Sequence, residues 1–176
     1  DRATPHYRTR DGAWEPGDLT NDDAAAPAGG ISSNLRDLTR WMRLHLAGGT
    51  FEGRQVVASD PLRESYRPQI VAYAPPDPAT GPPAFYGLGW TVSYENQGRL
   101  EISHGGDFNS YSTQATLLPG AGLGILVLCN GGASAVRGAI PKAFLELVTQ
   151  GELSQDWVRA TETSFAAALA GILETS

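Results

Sequence analysis

The sequence predicts an α+β fold of the layered α/β kind, in which an antiparallel sheet is flanked by helices. Hydrophobic residues recur at helical spacing around residues 35–46 and after residue 134, and at strand spacing between residues 87 and 130. Only short turns separate the strand segments, and short connections join antiparallel strands. Helices on both sides of such a run in the sequence are expected to pack onto the sheet.

Two features precede the first long helix. An Asp11-Gly12 pair lies between the aromatic residues Tyr7 and Trp14, a pattern that predicts a short two-stranded ribbon over residues 5–16. Residues 17–30 are rich in Asp, Asn, Ala, Pro and Gly without periodicity, and we expect a loop there.

The helices before the sheet follow from spacing and from capping residues. Leu35, Leu38, Met42 and Leu46 predict a helix over residues 35–46, which the side chains of residues 32–34 can cap. Glycines at 48 and 49 end it. Asp60-Pro61 predicts the start of a shorter helix that ends before residue 68. Residues 74–83 contain five of the twelve prolines and predict an extended surface loop.

The sheet and the last helices complete the prediction. Strands are expected over residues 87–94, 99–104, 111–118 and 123–130, with turns at 96–98, 105–110 and 119–122. Ser134 can cap a helix that runs to residue 150 and that Pro141 is expected to kink, and a final helix is predicted over 156–173. We also expect the sheet to be incomplete, because no earlier segment is present to pair with its outer strands.

Composition excludes several classes of function. The chain has 176 residues, a formal net charge of −6 and no basic patch, so nucleic-acid binding is not expected. No apolar run approaches the roughly 20 residues that a membrane span requires. Three scattered histidines and one cysteine give no spacing typical of a metal site, and neither a metal nor another cofactor is expected. The sequence leaves the cellular compartment open.

Common nucleophile motifs are absent from the sequence. Lys142 is the only lysine, and the residue three positions before it is Ala139, so there is no Ser-x-x-Lys. Residues 30–34 begin like Gly-x-Ser-x-Gly but end in Asn34. The chain by itself is therefore expected to be inactive in acyl transfer that uses these nucleophiles.

Ser103-His104-Gly105-Gly106-Asp107 is the candidate site, at the end of a predicted strand. Strand alternation puts His104 on the face of Leu100 and Ile102, where a polar ring needs a partner. The two glycines would let a substrate approach the strand and leave backbone N–H groups available to a developing oxyanion. The alternative is a core histidine with a satisfied hydrogen bond, followed by a flexible turn.

Several motifs in a fixed order extend this pattern. They are 27–33 (PAGGISS), 35–41 (LRDLTRW), 86–90 (YGLGW), 104–106 (HGG), 117–119 (LLP) and 124–130 (GILVLCN). Together they resemble the second half of the β-lactamase-like serine hydrolases, a family that includes penicillin-binding proteins, D-amino-acid peptidases and bacterial esterases. The resemblance runs from about residue 28 to 147. It implies that residues 1–150 form the C-terminal part of such a domain and that residues 151–176 are a helical extension.

The resemblance also implies residue roles. His104-Gly105-Gly106 occupies the position of the family's third motif, which is Lys-Thr-Gly or His-x-Gly. His104 would position the substrate and influence proton transfer, and the N–H of Asp107 would complete the oxyanion hole; we name His104, Gly106 and Asp107 as catalytic candidates. Gly105, Phe108 and Tyr111 are the substrate-binding candidates. The nucleophilic Ser-x-x-Lys and the catalytic Tyr-x-Asn would lie outside this chain, on an N-terminal half that is its expected partner.

Two points stay open in the sequence. Tyr94-Glu95-Asn96 spells Tyr-x-Asn, but it lies in a predicted turn eight residues before His104, and we expect no catalytic role. The substrate could be a β-lactam, a D-amino-acid peptide or a carboxylic ester, with histidine in the third motif favouring the latter two. The alternative function is a non-catalytic binding or structural module with the same fold.

Overall fold

The computed structural model describes residues 2–21, 23–77, 79, 81–94, 98–132 and 135–174. Its helices are α1 (Ala26–Gly29), α2 (Leu35–Leu46), α3 (Ser59–Glu64), α4 (Ala135–Gln150) and α5 (Trp157–Glu174). Its strands are β1 (His6–Arg8), β2 (Trp14–Pro16), β3 (Thr50–Phe51), β4 (Arg54–Gln55), β5 (Ile70–Tyr73), β6 (Ala84–Tyr86), β7 (Thr91–Tyr94), β8 (Leu100–Phe108), β9 (Tyr111–Leu118) and β10 (Leu123–Cys129).

Six of these strands form one antiparallel sheet in the order β10-β9-β8-β7-β6-β5. Each strand pairs with its neighbour in sequence, which confirms the predicted antiparallel sheet and the α+β class. In the β7–β8 pair, Thr91 lies opposite Ser103 and Val92 opposite Ile102. The chain as a whole divides into two compact units, the first formed by Asp1–Ile31, Gly105–Gln114 and Val127–Ser176, and the second by Ser32–His104 and Ala115–Leu126.

The strand that carries the candidate site is longer than predicted. β8 continues through both glycines to Phe108, so the turn expected over residues 105–110 is reduced to Asn109 and Ser110. Both turn residues have positive φ, 47° and 61°, as the two central residues of a type I′ hairpin turn do. The glycines suggested a loop in the sequence, but glycine also occurs inside strands where other groups approach closely.

The strand predicted over residues 87–94 is interrupted. Its first four residues form a tight turn between β6 and β7, in which the N–H of Gly87 donates to the carbonyl of Trp90 over 2.8 Å, and only its last four residues form a strand, β7. Gly87 permits no side chain, because a Cβ there would lie 2.4 Å from the carbonyl oxygen of Ser65. Three pairings were not predicted: that of β6 with β7, that of β6 with the edge strand β5, whose four residues are all exposed, and the small hairpin β3–β4.

The second unit has an apolar core beneath α2. Met42 of this helix is buried together with Trp90, Val92, Ile102 and Leu117. The predicted cap is present, since the Asn34 side chain accepts the N–H of Asp37 over 3.0 Å, and Gly48 follows the helix at a φ of +62°. The shorter helix α3 begins at Ser59 after Ala58, without a side-chain cap, so Asp60 lies within its first turn.

The first unit contains the ribbon and the two C-terminal helices. β1 and β2 pair as predicted, and β1 is joined to the segment after β10 by a bond of 2.7 Å from the N–H of His6 to the carbonyl of Asn130. The 17–30 segment is not entirely a loop, because it includes a 3-10 turn and the short helix α1. Both C-terminal helices are present, with Pro141 inside α4. Ser134, the predicted cap of α4, lies outside the described residues.

Candidate active site

His104 is an exposed residue of strand β8 and has a phenol as its partner. Its Nε2 is 3.2 Å from the hydroxyl oxygen of Tyr86, and the two rings are 6.4 Å apart between centroids. The residues come together across β7, where Thr91 is paired both with Tyr86 and with Ser103. We expected His104 among apolar side chains. Ile102 is indeed fully buried, but the histidine two residues later is exposed, which is where a polar ring avoids the cost of desolvation.

Asp107, in the first unit, is held by an arginine of α4. The Oδ2 atom of Asp107 lies 2.9 Å from Nη2 of Arg137, with side-chain exposures of 39% and 25%. Nη1 of the same guanidinium donates to the carbonyl oxygen of Thr113 on β9 over 3.3 Å. One arginine therefore bonds both strands of the β8–β9 hairpin.

The two glycines after His104 have different surroundings. A Cβ on Gly105 would lie 2.3 Å from Oε1 of Gln114 and 2.5 Å from Nη1 of Arg137, whereas a Cβ on Gly106 would meet only Oγ1 of Thr113, at 3.9 Å. Packing by protein side chains thus accounts for a glycine at position 105, and the predicted contact of Gly105 with substrate stays a prediction. Space for an approaching group is found at the second glycine.

Phe108 and Tyr111 flank the hairpin turn in the first unit, and both are partly buried. The Phe108 ring packs on Gly29, where a Cβ would lie 3.3 Å from its Cδ2. The Tyr111 hydroxyl donates to the carbonyl of Ala3 over 2.5 Å. These contacts give each side chain a packing role within the protein, and their predicted contact with substrate stays a prediction.

A cluster of rings in the second unit was not predicted as a cluster. Trp41 and Trp90 are stacked 5.3 Å apart at an angle of 11°, and His45 packs edge-on against both. The Nδ1 atom of His45 is hydrogen-bonded to the hydroxyl of Tyr66. Burial lowers the pKa of His45 and raises the pKa of Tyr66 to about 12, because in both cases it disfavours the charged form of the side chain.

Sequence reasoning named neither Tyr86 nor Arg137 for the roles their contacts suggest. Tyr86 entered the sequence analysis only as the first residue of the YGLGW segment. Arg137 gave no signal, because it lies 30 residues after Asp107 in a helix and resembles any solvated arginine. Of the Tyr94-Glu95-Asn96 triplet, Tyr94 ends β7, and the other two residues lie outside the described part of the chain.

Two further properties concern the described residues. They contain no group of three or more His, Cys, Asp or Glu side chains that could hold a metal ion. Among their helices, none combines the length and the apolar character needed to cross a bilayer.

An antiparallel sheet flanked by helices, with a His-Gly-Gly strand at its centre, has the fold of the β-lactamase-like serine hydrolases. A sequence model of the family described as Beta-lactamase matches residues 1–150. The chain belongs to the β-lactamase family.

The chain is also similar to a solved structure, the octameric penicillin-binding protein homologue from Pyrococcus abyssi. The TM-score is 0.62 and the sequence identity 18%, over 83% of this chain and 30% of the other. The likeness concerns the fold alone, and the chain spans less than a third of the length of that protein. No protein in the curated set matches the sequence.

Proposed function

We propose that this chain is the C-terminal part of a serine hydrolase that acts by acyl transfer on an ester or amide. It contributes the His104 strand and the N–H of Asp107, and the nucleophilic serine and its lysine lie on an N-terminal half outside the sequence. His104, Gly106 and Asp107 are the catalytic candidates within this chain. The proposal rests on the family and on one structural observation, the exposed His104 in contact with Tyr86.

In this mechanism the residues of this chain position the substrate and stabilise developing charge. The serine Oγ gives its proton to the general base of the N-terminal half and adds to the substrate carbonyl carbon, and the electron pair of the C=O bond moves onto oxygen. The N–H of Asp107 donates to this oxyanion, an interaction of about 3–4 kcal/mol in other hydrolases. The C–O or C–N bond then breaks, the leaving group takes up a proton, and water releases the acyl group in a second addition and collapse.

His104 serves in this scheme as a positioning and hydrogen-bonding group for the substrate. Its contact with Tyr86 restrains the ring, and open space at Gly106 admits the scissile group beside the strand. General-base catalysis is left to the lysine and tyrosine that the family supplies from its N-terminal half.

The substrate we propose is a carboxylic ester or a D-amino-acid peptide in preference to a β-lactam. A lysine in the third motif would place a compact, strongly charged ammonium beside the carboxylate of a penicillin, and this chain has the imidazole of His104 there instead. Hydrolysis of a chromogenic cephalosporin faster than of a short-chain nitrophenyl ester would reverse this choice.

Covalent labelling tests the proposal. The full gene product is treated with a labelled fluorophosphonate, and the modified peptide is identified by mass spectrometry. We expect the label on a serine outside residues 1–176 and loss of ester turnover in His104→Ala, with Arg40→Ala as a matched surface control. A label on a serine within 1–176 would contradict the proposed division of the site.

The alternative is a non-catalytic module of the same fold, favoured by the absence of Ser-x-x-Lys from the 176 residues. A full gene product that neither takes the label nor hydrolyses ester, peptide or β-lactam would establish this alternative.

A further inference from the structure

We infer that Arg137 is a positioning residue, which holds the end of β8 so that the backbone N–H of Asp107 points at the reacting oxygen. This inference rests on the proposed function, because it concerns the same oxyanion hole. Sequence spacing does not reveal the contact between Arg137 and the motif. The role is assigned from three spatial relationships of Arg137 within the first unit, with Asp107, Thr113 and Gly105.

The guanidinium occupies the inner side of the hairpin. Its Nη2 bonds the carboxylate of Asp107 at 2.9 Å, and its Nη1 donates to the carbonyl of Thr113 at 3.3 Å. The same Nη1 lies 2.5 Å from where a Cβ on Gly105 would be. Three points on two strands therefore surround one planar group, and the planar fork of arginine suits this geometry better than the single ammonium of lysine.

The position of Arg137 in its helix supports a specific role. It is the third residue of α4, where the positive end of the helix dipole disfavours a cation. The Asp107 carboxylate offsets this repulsion, and a carboxylate near a helix N-terminus is itself favoured. The side chain of Arg137 is only 25% exposed, so the pair is partly shielded from solvent and from screening by salt.

The consequence for catalysis comes through the backbone. Restraining the Asp107 side chain on one face of the strand restrains rotation of its peptide groups, and with them the direction of its N–H. A donor displaced by about 1 Å can lose about 100-fold in rate, because the oxyanion forms only in the transition state.

The test compares Arg137→Met, Arg137→Lys and Arg40→Ala in the full gene product. Arg40→Ala is the matched control, since it removes an ion pair with Asp37 on the exposed surface of α2. For a short-chain nitrophenyl ester we expect Arg137→Met to lower kcat about 10- to 100-fold with KM within about twofold, the pattern of an interaction made in the transition state. Arg137→Lys should lower kcat less than Arg137→Met does, and Arg40→Ala should keep the kcat of the parent protein.

Hydrogen exchange provides a readout that does not need turnover. The Asp107 amide should exchange faster in Arg137→Met than in the parent, while amides of α2 keep their rates. An unchanged kcat with a lowered Tm, or an unchanged exchange rate at Asp107, overturns the inference. A parent protein without any hydrolytic activity instead overturns the proposed function. Hydrogen exchange at the Asp107 amide would then show whether Arg137 restrains Asp107.

Discussion

The hydroxyl oxygen of Tyr86 lies 3.2 Å from Nε2 of His104, across the intervening strand β7. This bond occupies one ring nitrogen and leaves Nδ1 as the other polar atom of the imidazole. The tyrosine therefore selects both the orientation of the ring and the nitrogen that a substrate could meet.

Removing only this hydroxyl should impair turnover without unfolding the protein. In Tyr86→Phe the ring remains, but His104 loses its partner, and we expect kcat for an ester to fall about 10-fold or more. The nitrogen chemical shifts of the His104 ring should show a changed tautomer balance. Tyr94→Phe is the control, and equal behaviour of the two variants would contradict a role for Tyr86.

Substitution of Gly105 should mainly lower stability, and substitution of Gly106 should mainly lower activity. Gly105→Ala forces a methyl group against Arg137 and Gln114, and we expect it to lower the free energy of unfolding by about 1–3 kcal/mol, as overpacking does. Gly106→Ala has room for its methyl group, so its stability should be nearly unchanged while kcat/KM falls. Denaturation curves and ester kinetics on both variants measure this, and the reverse order of effects would refute it.

His45 should make the protein sensitive to mild acid. Because burial lowers its pKa, the unfolded chain binds the proton more readily, starting near its ordinary pKa of about 6.5. The stabilisation is complete above this pH and is lost as pH falls towards the lowered pKa. Unfolding measured from pH 8 to pH 5 should show this loss, and His45→Gln should abolish most of it.

Ionisation of Tyr66 should lower the free energy of unfolding at high pH. Its pKa is raised to about 12, so the folded state resists ionisation that begins near pH 10 in the unfolded chain. Stability should therefore fall between about pH 10 and 12. Tyr66→Phe should reduce this fall in stability, and an unchanged fall would assign the effect to other tyrosines.

The hairpin turn offers a stabilising substitution. Ser110 has a φ of +61°, which costs an L-residue roughly 1–2 kcal/mol relative to the right-handed region. Ser110→Gly should raise the free energy of unfolding by about 0.5–1 kcal/mol after the entropy of glycine is counted. Thermal denaturation is the measurement, and Ser33→Gly, at an exposed position outside the turn, serves as the control. A decrease in Tm would mean that the Ser110 side chain contributes more than its backbone costs.

Sequence periodicity predicted the architecture well where side chains decide it. The α2 helix, its Asn34 cap and the antiparallel order of the sheet follow from spacing and short connections. The short strands β3 and β5 could not be predicted, since two to four residues carry no periodicity and β5 has no buried face.

Less of the candidate site than of the fold could be predicted from the sequence. The sequence could single out His104 and the glycines, but long-range contacts decided what surrounds them. Arg137 fills the side of Gly105, and a phenol from two strands away meets His104. Neither contact leaves a local pattern, because both join residues that are 18 or more positions apart.

The two-residue connection between β8 and β9 limits how this region can change in evolution. Adding or deleting one residue there would shift the pairing of the strands by one position, and alternate side chains would exchange faces. The sheet could keep its bonds, yet Gly105 would no longer lie under the guanidinium. Variation in length is therefore expected in the proline-rich segment before β6, while this hairpin keeps a constant length among functional relatives.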